Sequence, residues 1–286
     1  MFKFFANLFG YVLNFIYGMV NNYGLAIIIF TILLKLIMLP ISIKQQKTMK
    51  KSAKIQVQAK EIQDKYKNDP TKMSQELSDL YKRENMSPFS GCLSSIIQIV
   101  LVISMFYLVS RPLTYMKHVD SEVINQYSEE LRQEEGNVNY QEIAIIRTKA
   151  AEDERVNLNM NFLGLNLSLV PSQNYSDWKV FIIPVLYVIT SFVTTRMTQK
   201  MTSMNKKEEK EKPVVNEETK DLVKKEEEDF DMAQEMTKNM TIMMPLMTVS
   251  IALIAPLGLA LYWFINNLFM LGERLLLNKF IKQEEE

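Results

Sequence analysis

The stretch Leu25–Ile43, LAIIIFTILLKLIMLPISI, is apolar apart from Thr31, Lys35, Pro40 and Ser42. An apolar run of this length predicts a helix that crosses a membrane. A charge near the middle of such a helix costs about 2.5–3.5 kcal/mol, so it usually faces a bundle interior or a water-filled cavity. Lys35 is therefore a candidate functional residue. The alternative is a lysine that snorkels to the nearer interface or pairs with an acidic side chain.

The composition limits the classes of function that the chain can serve. Its 286 residues carry 33 basic and 33 acidic side chains, a balance that argues against general nucleic-acid binding and direct DNA binding. With a single cysteine, Cys92, no internal disulfide can form. Cys92 and the single histidine, His118, do not supply a His/Cys metal site or a convincing catalytic nucleophile. We therefore expect no cofactor, no metal and no covalent catalysis.

Apolar blocks alternate with charged blocks along the chain, which predicts an all-α polytopic membrane protein with five transmembrane helices. The predicted segments are an interfacial helix at 1–22, span one at 23–43, a helical hairpin at 44–86, span two at 89–111, a loop at 112–177, span three at 178–196, a charged loop at 197–238, span four at 239–255, span five at 257–277 and a tail at 278–286. A single helix over 240–277 would be about 57 Å long, nearly twice the hydrocarbon thickness, so Pro256 is expected to separate two spans.

The first 20 residues place large apolar side chains and small or polar ones on separate faces of a helix. Such a helix is expected to lie along the membrane surface. A cleaved signal peptide or a sixth span is the alternative, although no small-residue cleavage site is evident.

Two charged blocks are predicted to lie in water. The block 44–86 is rich in good helix formers and is interrupted at Asn68-Asp69-Pro70, which predicts one helix to about Tyr66 and a second from about Thr71 to Glu84. The block 196–238, rich in Lys and Glu, is expected to be a solvated tether or a fraying helix.

The distribution of basic residues predicts which side of the membrane each loop occupies, because Lys and Arg are in excess in cytoplasmic loops. The hairpin block carries eleven of them, the charged loop is basic at its flanks, and Arg274, Lys279 and Lys282 lie at or beyond the end of span five, whereas 112–177 is acid-rich. The hairpin, the charged loop and the C-terminus are therefore predicted to be cytoplasmic. The N-terminus and the loop 112–177 are predicted to be external.

Polar residues recur at helical spacing in spans one, two and five, where they would share one face of each helix. They are Thr31 and Lys35, Ser94 or Ser95 and Gln98, and Tyr262 and Asn266 with Trp263 and Asn267 beside them. Each alone is more typical of a bond between packed helices than of function. Together with Lys35 they predict a hydrated, positively charged pocket. We expect this pocket to contain no acidic side chain, which disfavours a cation pathway and favours a site for acidic or polar groups.

Four stretches stand in a definite order along the chain: FTILLKLIMLPISIKQ at 30–45, MSPFSGCLSSIIQ at 86–98, MNFLGLNLSLVP at 160–171 and MMPLMTVSIALIAPLGLALYWFINN at 243–267. The most specific parts are S-P-F-x-G-C at 87–92 and P-x-G-L-x-L-Y-W-x-x-N-N at 256–267. In this order and at this spacing they resemble the YidC/Oxa/Alb membrane protein insertase family, in its bacterial five-span form.

The resemblance implies five helices around a hydrophilic groove that is open to the cytoplasm and to lipid and closed on the outside. In the family a basic residue of the first core span, usually Arg, lies in that groove, and the matching position here is Lys35. Lysine keeps the charge but loses the planar donor fork, so a bidentate contact is in doubt. Gln98, Tyr262 and Trp263 match other positions that line the groove.

The resemblance also implies partners and a location. The hairpin 44–86 matches the family hairpin that is associated with the ribosome and the targeting machinery. The expected substrates are nascent membrane proteins, and the location is the bacterial plasma membrane, with lipid around the spans; engagement of the Sec translocon is left open. Residues 119–157 look like an insertion of unknown role, and the charged block 201–235 looks enlarged.

We therefore expect a membrane protein insertase that inserts nascent integral membrane proteins and helps them fold. A polar segment of the substrate would enter the groove, and partition of the following apolar segment into lipid would drive its release. The alternative is a small-solute transporter or channel with Lys35 as an anion site. A membrane-embedded enzyme and a purely structural scaffold are further alternatives.

Overall fold

The computed structural model describes residues 2–67, 69–84, 90–136, 138–204 and 250–285. In these residues the chain is mainly helical, and its elements in order are α1 (Phe2–Val20), α2 (Tyr23–Lys65), α3 (Pro70–Arg83), α4 (Ser90–Ser110), α5 (Pro112–Tyr115), α6 (Ser121–Glu135), α7 (Gln141–Lys149), β1 (Asn161–Phe162), β2 (Leu165–Asn166), two 3-10 turns (Pro171–Gln173 and Trp178–Phe181), α8 (Ile182–Met204) and α9 (Leu257–Glu285). Residues 250–254 are also helical. Most of the predicted span four, and most of the charged loop, lie outside the described residues.

The chain forms two units. The first contains Met1–Leu39, Ile97–Thr194 and Met247–Glu286, and the second contains Pro40–Ile96 and Thr195–Leu246. Two described stretches are long and apolar enough to cross a membrane, Tyr23–Thr48 and Trp178–Met197, and Ile99–Ser110 is a shorter apolar helix. The five predicted spans stay a prediction.

The helices that contain apolar stretches continue beyond them. Helix α2 passes through Pro40 without ending and runs on to Lys65. Helix α9 likewise continues through the predicted tail to Glu285. The polar residues that follow each apolar stretch include many Lys, Glu and Gln, which have high helix propensity. Composition therefore marks where the apolar part of each helix ends but not where the helix itself ends.

The segment 112–177, predicted as a loop, is folded. Helix α6 begins where the Asp120 carboxylate accepts a hydrogen bond from the backbone N–H of Glu122, and it ends at Gly136, whose φ is 79°. Strands β1 and β2 pair antiparallel, with Asn161 opposite Asn166. This small hairpin is an addition to the all-α class that the sequence predicted.

The core of the first unit joins this segment to the helix ends. Its fully buried side chains include Tyr23, Leu113, Met116, Ile145 and Leu257. Helix α1 contributes a stripe of small and apolar residues to that core: Ala6, Gly10, Leu13 and Ile16. A second apolar stripe on α1 is exposed: Phe4, Leu8, Tyr11, Phe15 and Met19. The helix thus has two apolar faces, where the sequence analysis assigned it one.

The second unit contains a small helical hairpin made by the end of α2 and by α3. The Asp69 carboxylate accepts a hydrogen bond from the backbone N–H of Lys72, and Pro70 is the first residue of α3, a favourable combination at a helix start. Ile55, Ala59 and Leu80 are buried between the two helices. This core is small, so most of the hairpin surface is polar and charged.

A close approach of α1 to α5 generates the first prediction. A Cβ atom at Gly10 would overlap the backbone carbonyl oxygen of Tyr115, whereas a Cβ at Gly18 would have no atom within 4 Å. Replacing Gly10 with Ala must push α1 away from α5, and overpacking of this kind typically costs about 1–3 kcal/mol. We expect Gly10→Ala to lower the thermal unfolding temperature of the detergent-solubilised protein.

Gly18→Ala is the matched control, because it changes the same helix by the same atoms. It should leave the unfolding temperature unchanged or raise it slightly, since Ala is favoured over Gly in a helix by about 1 kcal/mol. Equal unfolding temperatures for the two variants would contradict the described contact.

Glu142, in the first turn of α7, is a buried carboxylate. Its oxygens accept hydrogen bonds from the backbone N–H of Thr114 at 2.9 Å and from the Thr114 hydroxyl at 2.6 Å. Burial raises the pKa of Glu142 above its usual value, although these bonds and the nearby Arg111 act in the opposite direction. The carboxyl group therefore caps α5 at an electrostatic cost when it is ionised.

This raised pKa predicts a pH dependence. An acid whose pKa is higher in the folded than in the unfolded chain stabilises the fold most below its unfolded pKa, about 4.3, and the stabilisation is lost as the pH rises through the folded pKa. We expect the wild-type protein to gain stability relative to Glu142→Gln when the pH is lowered from 7 to about 4. Thermal unfolding at both pH values measures this difference, and a change of opposite sign would refute the assignment. Glu122→Gln, at an exposed position, controls for the loss of one carboxylate.

Candidate functional site

Lys35 is half-buried in the stretch of α2 that is long and apolar enough to cross a membrane. It lies twelve residues beyond Tyr23, the first residue of α2, which is about 18 Å along the helix at 1.5 Å per residue. The hydrocarbon core of a bilayer is about 30 Å thick, so Lys35 would be deeper than the midplane when measured from the Tyr23 end. Its neighbours Leu36 and Ile37 are 60% and 65% exposed, and they present an apolar surface beside it.

Two charged residues of α9, Glu273 and Arg274, lie close enough to Lys35 to interact with it electrostatically. The expectation that the pocket holds no acid is therefore wrong. Span five was predicted to run to residue 277, so it contains both residues. Arg274 also donates a hydrogen bond to the backbone carbonyl of Thr194, at 3.4 Å. The charge at the site belongs to three side chains, two basic and one acidic.

Thr31, one turn before Lys35, is 1% exposed. Its hydroxyl donates to the backbone carbonyl of Ile27 in the same helix, at 2.7 Å. A threonine bonded in this way satisfies its own polar group inside the helix. The structure therefore gives Thr31 a packing role beside Lys35.

Three predicted residues lie on α9. Tyr262 is buried, and Trp263 and Asn266 are partly buried. The Trp263 ring lies 6.1 Å from that of Tyr187 on α8. Tyr262, Asn266 and Glu273 follow one another at intervals of four and seven residues, so they share one side of α9. Asn267, noted in the sequence only as a neighbour, is a buried polar residue at 8% exposure.

The remaining predicted residues, Ser95 and Gln98, lie on α4, and their side chains are outside the described part of the chain. The structure thus places Glu273 and Arg274 within electrostatic range of Lys35, and the contribution of α4 stays a prediction. Within the described ranges, no group of three or more His, Cys, Asp or Glu side chains is placed to hold a metal ion.

Residues 159–169, which we name the cap segment, join the beginnings of α2 and α9. The backbone N–H of Tyr23 donates to the carbonyl of Asn159 at 3.0 Å. The N–H groups of Leu257 and Gly258 donate to the carbonyls of Leu169 and Leu167, at 2.9 and 3.0 Å. These are helix N-termini whose first N–H groups have no partner within the helix. The cap segment therefore holds both helix starts on one side of the protein. This role could not be predicted from the sequence, because a backbone hydrogen bond leaves no side-chain signal.

The model of the 60Kd inner membrane protein family matches residues 15–285. The chain belongs to this family. The matched range includes Lys35, the cap segment and all of α9 up to Glu285, so the site described above lies on family positions. The 60Kd inner membrane protein family is the one that the sequence motifs predicted, and that prediction is confirmed.

Similar proteins support the same family assignment. The membrane protein insertase YidC of Chlorobaculum parvum is 42% identical over 107 residues, which is 37% of this chain and 18% of that protein. The membrane protein insertase YidC of Francisella tularensis subsp. novicida is 40% identical over 108 residues, 38% of this chain and 20% of that protein. The aligned part spans about a fifth of the length of these relatives.

The half-buried position of Lys35 predicts access to water. In a Cys92→Ser background, Lys35→Cys should react with a membrane-impermeant maleimide, because a thiol must ionise in water before it reacts. Leu36→Cys is the matched control, since it is the next residue and faces outward among apolar side chains. We expect Lys35→Cys to be labelled several times faster in inverted vesicles. Equal labelling rates would show that Lys35 faces no hydrated space.

Proposed function

We propose that this member of the 60Kd inner membrane protein family is a membrane protein insertase, which inserts nascent integral membrane proteins and helps them fold. The observation that supports this most directly is Lys35, a half-buried charge in a membrane-crossing helix, with Glu273 and Arg274 in electrostatic range. Such charges are expensive in a bilayer and are typical of functional sites. The printed names of the relatives describe the same activity in those proteins.

The proposed architecture has five spans around a groove that is open to the cytoplasm and to lipid. The arrangement of helix starts supports it, because α2 and α9 both begin at the cap segment and so enter the membrane from the same side. With the acid-rich segment 112–177 on that side, the cap segment is external. Lys35, about 18 Å from the start of α2, is then nearer the cytoplasmic surface. A segment arriving from the cytoplasm would reach Lys35 without crossing the whole bilayer.

The three charges define what the groove would accept. Lys35 and Arg274 are positive and Glu273 is negative, so their combined formal charge is one positive. A polar or acidic segment of a substrate entering the groove would exchange bulk water for these charges and for the water around them. The free-energy cost of moving this polar segment part-way across the membrane is therefore lower. Partition of the following apolar segment into lipid then releases the substrate.

The proposed partners follow from the surfaces of the chain. The hairpin of α2 and α3 buries few apolar residues and belongs to a block with eleven basic residues, a surface suited to the ribosome and the targeting machinery. Nascent membrane proteins are the substrates, and the lipid bilayer surrounds the spans. The proposed location is the bacterial plasma membrane, with an external N-terminus and a cytoplasmic C-terminus. The proposed insertion mechanism involves no covalent step.

The decisive test replaces Lys35 and follows insertion of a single-span substrate with an acidic translocated tail, in proteoliposomes. Lys35→Glu should reduce insertion by about tenfold, equivalent to roughly 1.4 kcal/mol. Lys35→Arg should retain most activity, because the charge is kept. Full insertion by Lys35→Glu would overturn the role of the charge.

A second substrate, identical except for a neutral tail, separates electrostatics from damage to the fold. Lys35→Glu should impair its insertion much less than that of the acidic tail. Equal loss with both tails would contradict an electrostatic role. The same vesicles report anion flux, and flux without insertion by the wild-type protein would favour the alternative of a small-solute transporter.

A further inference from the structure

The tip of the β-hairpin in the cap segment has a leucine at a turn position that leucine rarely occupies. Leu163 and Gly164 alone connect β1 to β2, and both have positive φ, 50° and 78°. A two-residue turn with this pattern favours Asn-Gly or Gly-Gly, because asparagine and glycine adopt left-handed backbone readily. Leucine is strained there. An observed strain of this kind is a reason to look for a function at that residue.

Nothing within the described chain compensates for this strain through packing, since the Leu163 side chain is 87% exposed. A large apolar side chain at the end of a hairpin is therefore both strained and in contact with solvent on the isolated protein. Stabilising contacts with a partner outside the chain would account for both the backbone strain and the exposure of Leu163.

The attachment of the hairpin shows where its tip lies. The Phe162 ring covers Gly24 so closely that a Cβ at Gly24 would lie 2.5 Å from the ring. The side chain of Asn22 donates to the carbonyl of Asn161 at 2.6 Å. Both anchor points belong to the start of α2, where the membrane-crossing stretch begins at Tyr23. The tip, one residue beyond Phe162, is thus at the level of the membrane surface.

The apolar surface of α2 continues from the same level. Leu25 follows Gly24 directly and is 40% exposed, and Ile29 and Leu33 continue the exposed apolar side at 36% and 41%. In a membrane-crossing helix such a surface contacts lipid. Leu163 therefore stands where this surface begins, and the lipid bilayer around α2 is the partner whose chemistry matches an exposed leucine.

We propose that Leu163 is a lipid anchor, whose side chain inserts into the interface of the bilayer and fixes the cap segment at the membrane surface. Because the cap segment bonds to the starts of α2 and α9, the anchor also sets the depth of both helices. This role is independent of the proposed insertase activity.

The experiment measures the depth of the tip in the full-length protein. Leu163→Cys in a Cys92→Ser background carries an environment-sensitive nitrobenzoxadiazole probe, and the protein is reconstituted into phosphatidylcholine/phosphatidylglycerol vesicles. Quenching by nitroxide-labelled lipid is compared with quenching by aqueous iodide. Glu122→Cys, exposed on α6, is the aqueous control. We expect the ratio of lipid to iodide quenching to be at least about threefold higher at position 163 than at 122. Equal ratios would overturn the anchor.

A second measurement removes the leucine and keeps the fold. With the probe on Asn161→Cys, Leu163→Asn should lower lipid quenching, while Leu163→Met should preserve it. Asparagine suits a left-handed turn position, so the hairpin is expected to form in this variant. Unchanged quenching with Leu163→Asn would refute the role of the side chain. Protection from iodide that appears only when a nascent chain is added would assign the tip to a protein partner and refute the lipid anchor.

Discussion

The first N–H groups of a helix have no partner within that helix, and this constraint organises the first unit. At the starts of α2 and α9 the partners are backbone carbonyls of the cap segment, which bonds to Tyr23, Leu257 and Gly258. Close packing accompanies these bonds: the Phe162 ring covers Gly24, and Tyr23 lies against Gly258. Away from water, unpaired N–H groups would be costly, so the cap segment and the two helix starts form together. The cap segment thereby ties together the starts of two helices of the first unit.

The charges around Lys35 lie deeper along the same helices. An isolated Lys35 would carry the full free-energy cost of a buried charge, but Glu273 and Arg274 on α9 lie within electrostatic range of it. Arg274 also donates a hydrogen bond to the backbone carbonyl of Thr194 on α8. Residues from three helices therefore contribute to this region. A site built in this way depends on the positions of all three helices, which are set in turn by the contacts of the cap segment with two of them.

Only Lys35 could be singled out as a candidate from its own position in the sequence. Lys35 stands out because a charge in an apolar run is rare and expensive. Thr31, Tyr262, Trp263 and Asn266 were assigned to the groove from helical spacing, and that assignment stays a prediction. Family membership was predicted from motifs, and it is confirmed by the family match over 15–285. Glu273 and Arg274 were not assigned to the site, although both are in the sequence, because their distance from Lys35 depends on how α9 packs beside α2. Helical spacing relates residues of one helix and carries no information on such distances.

The sequence by itself determined the helical class, the apolar stretches, the break at Pro256 and the family, because composition and local spacing carry these signals. Only the tertiary structure decided that 112–177 is folded, that α1 has one buried and one exposed apolar face, and that the cap segment joins two helix starts. Those features rest on contacts between residues far apart in the chain: Asn159 with Tyr23, and Gly10 with Tyr115. The energies of such contacts arise only once the chain is packed.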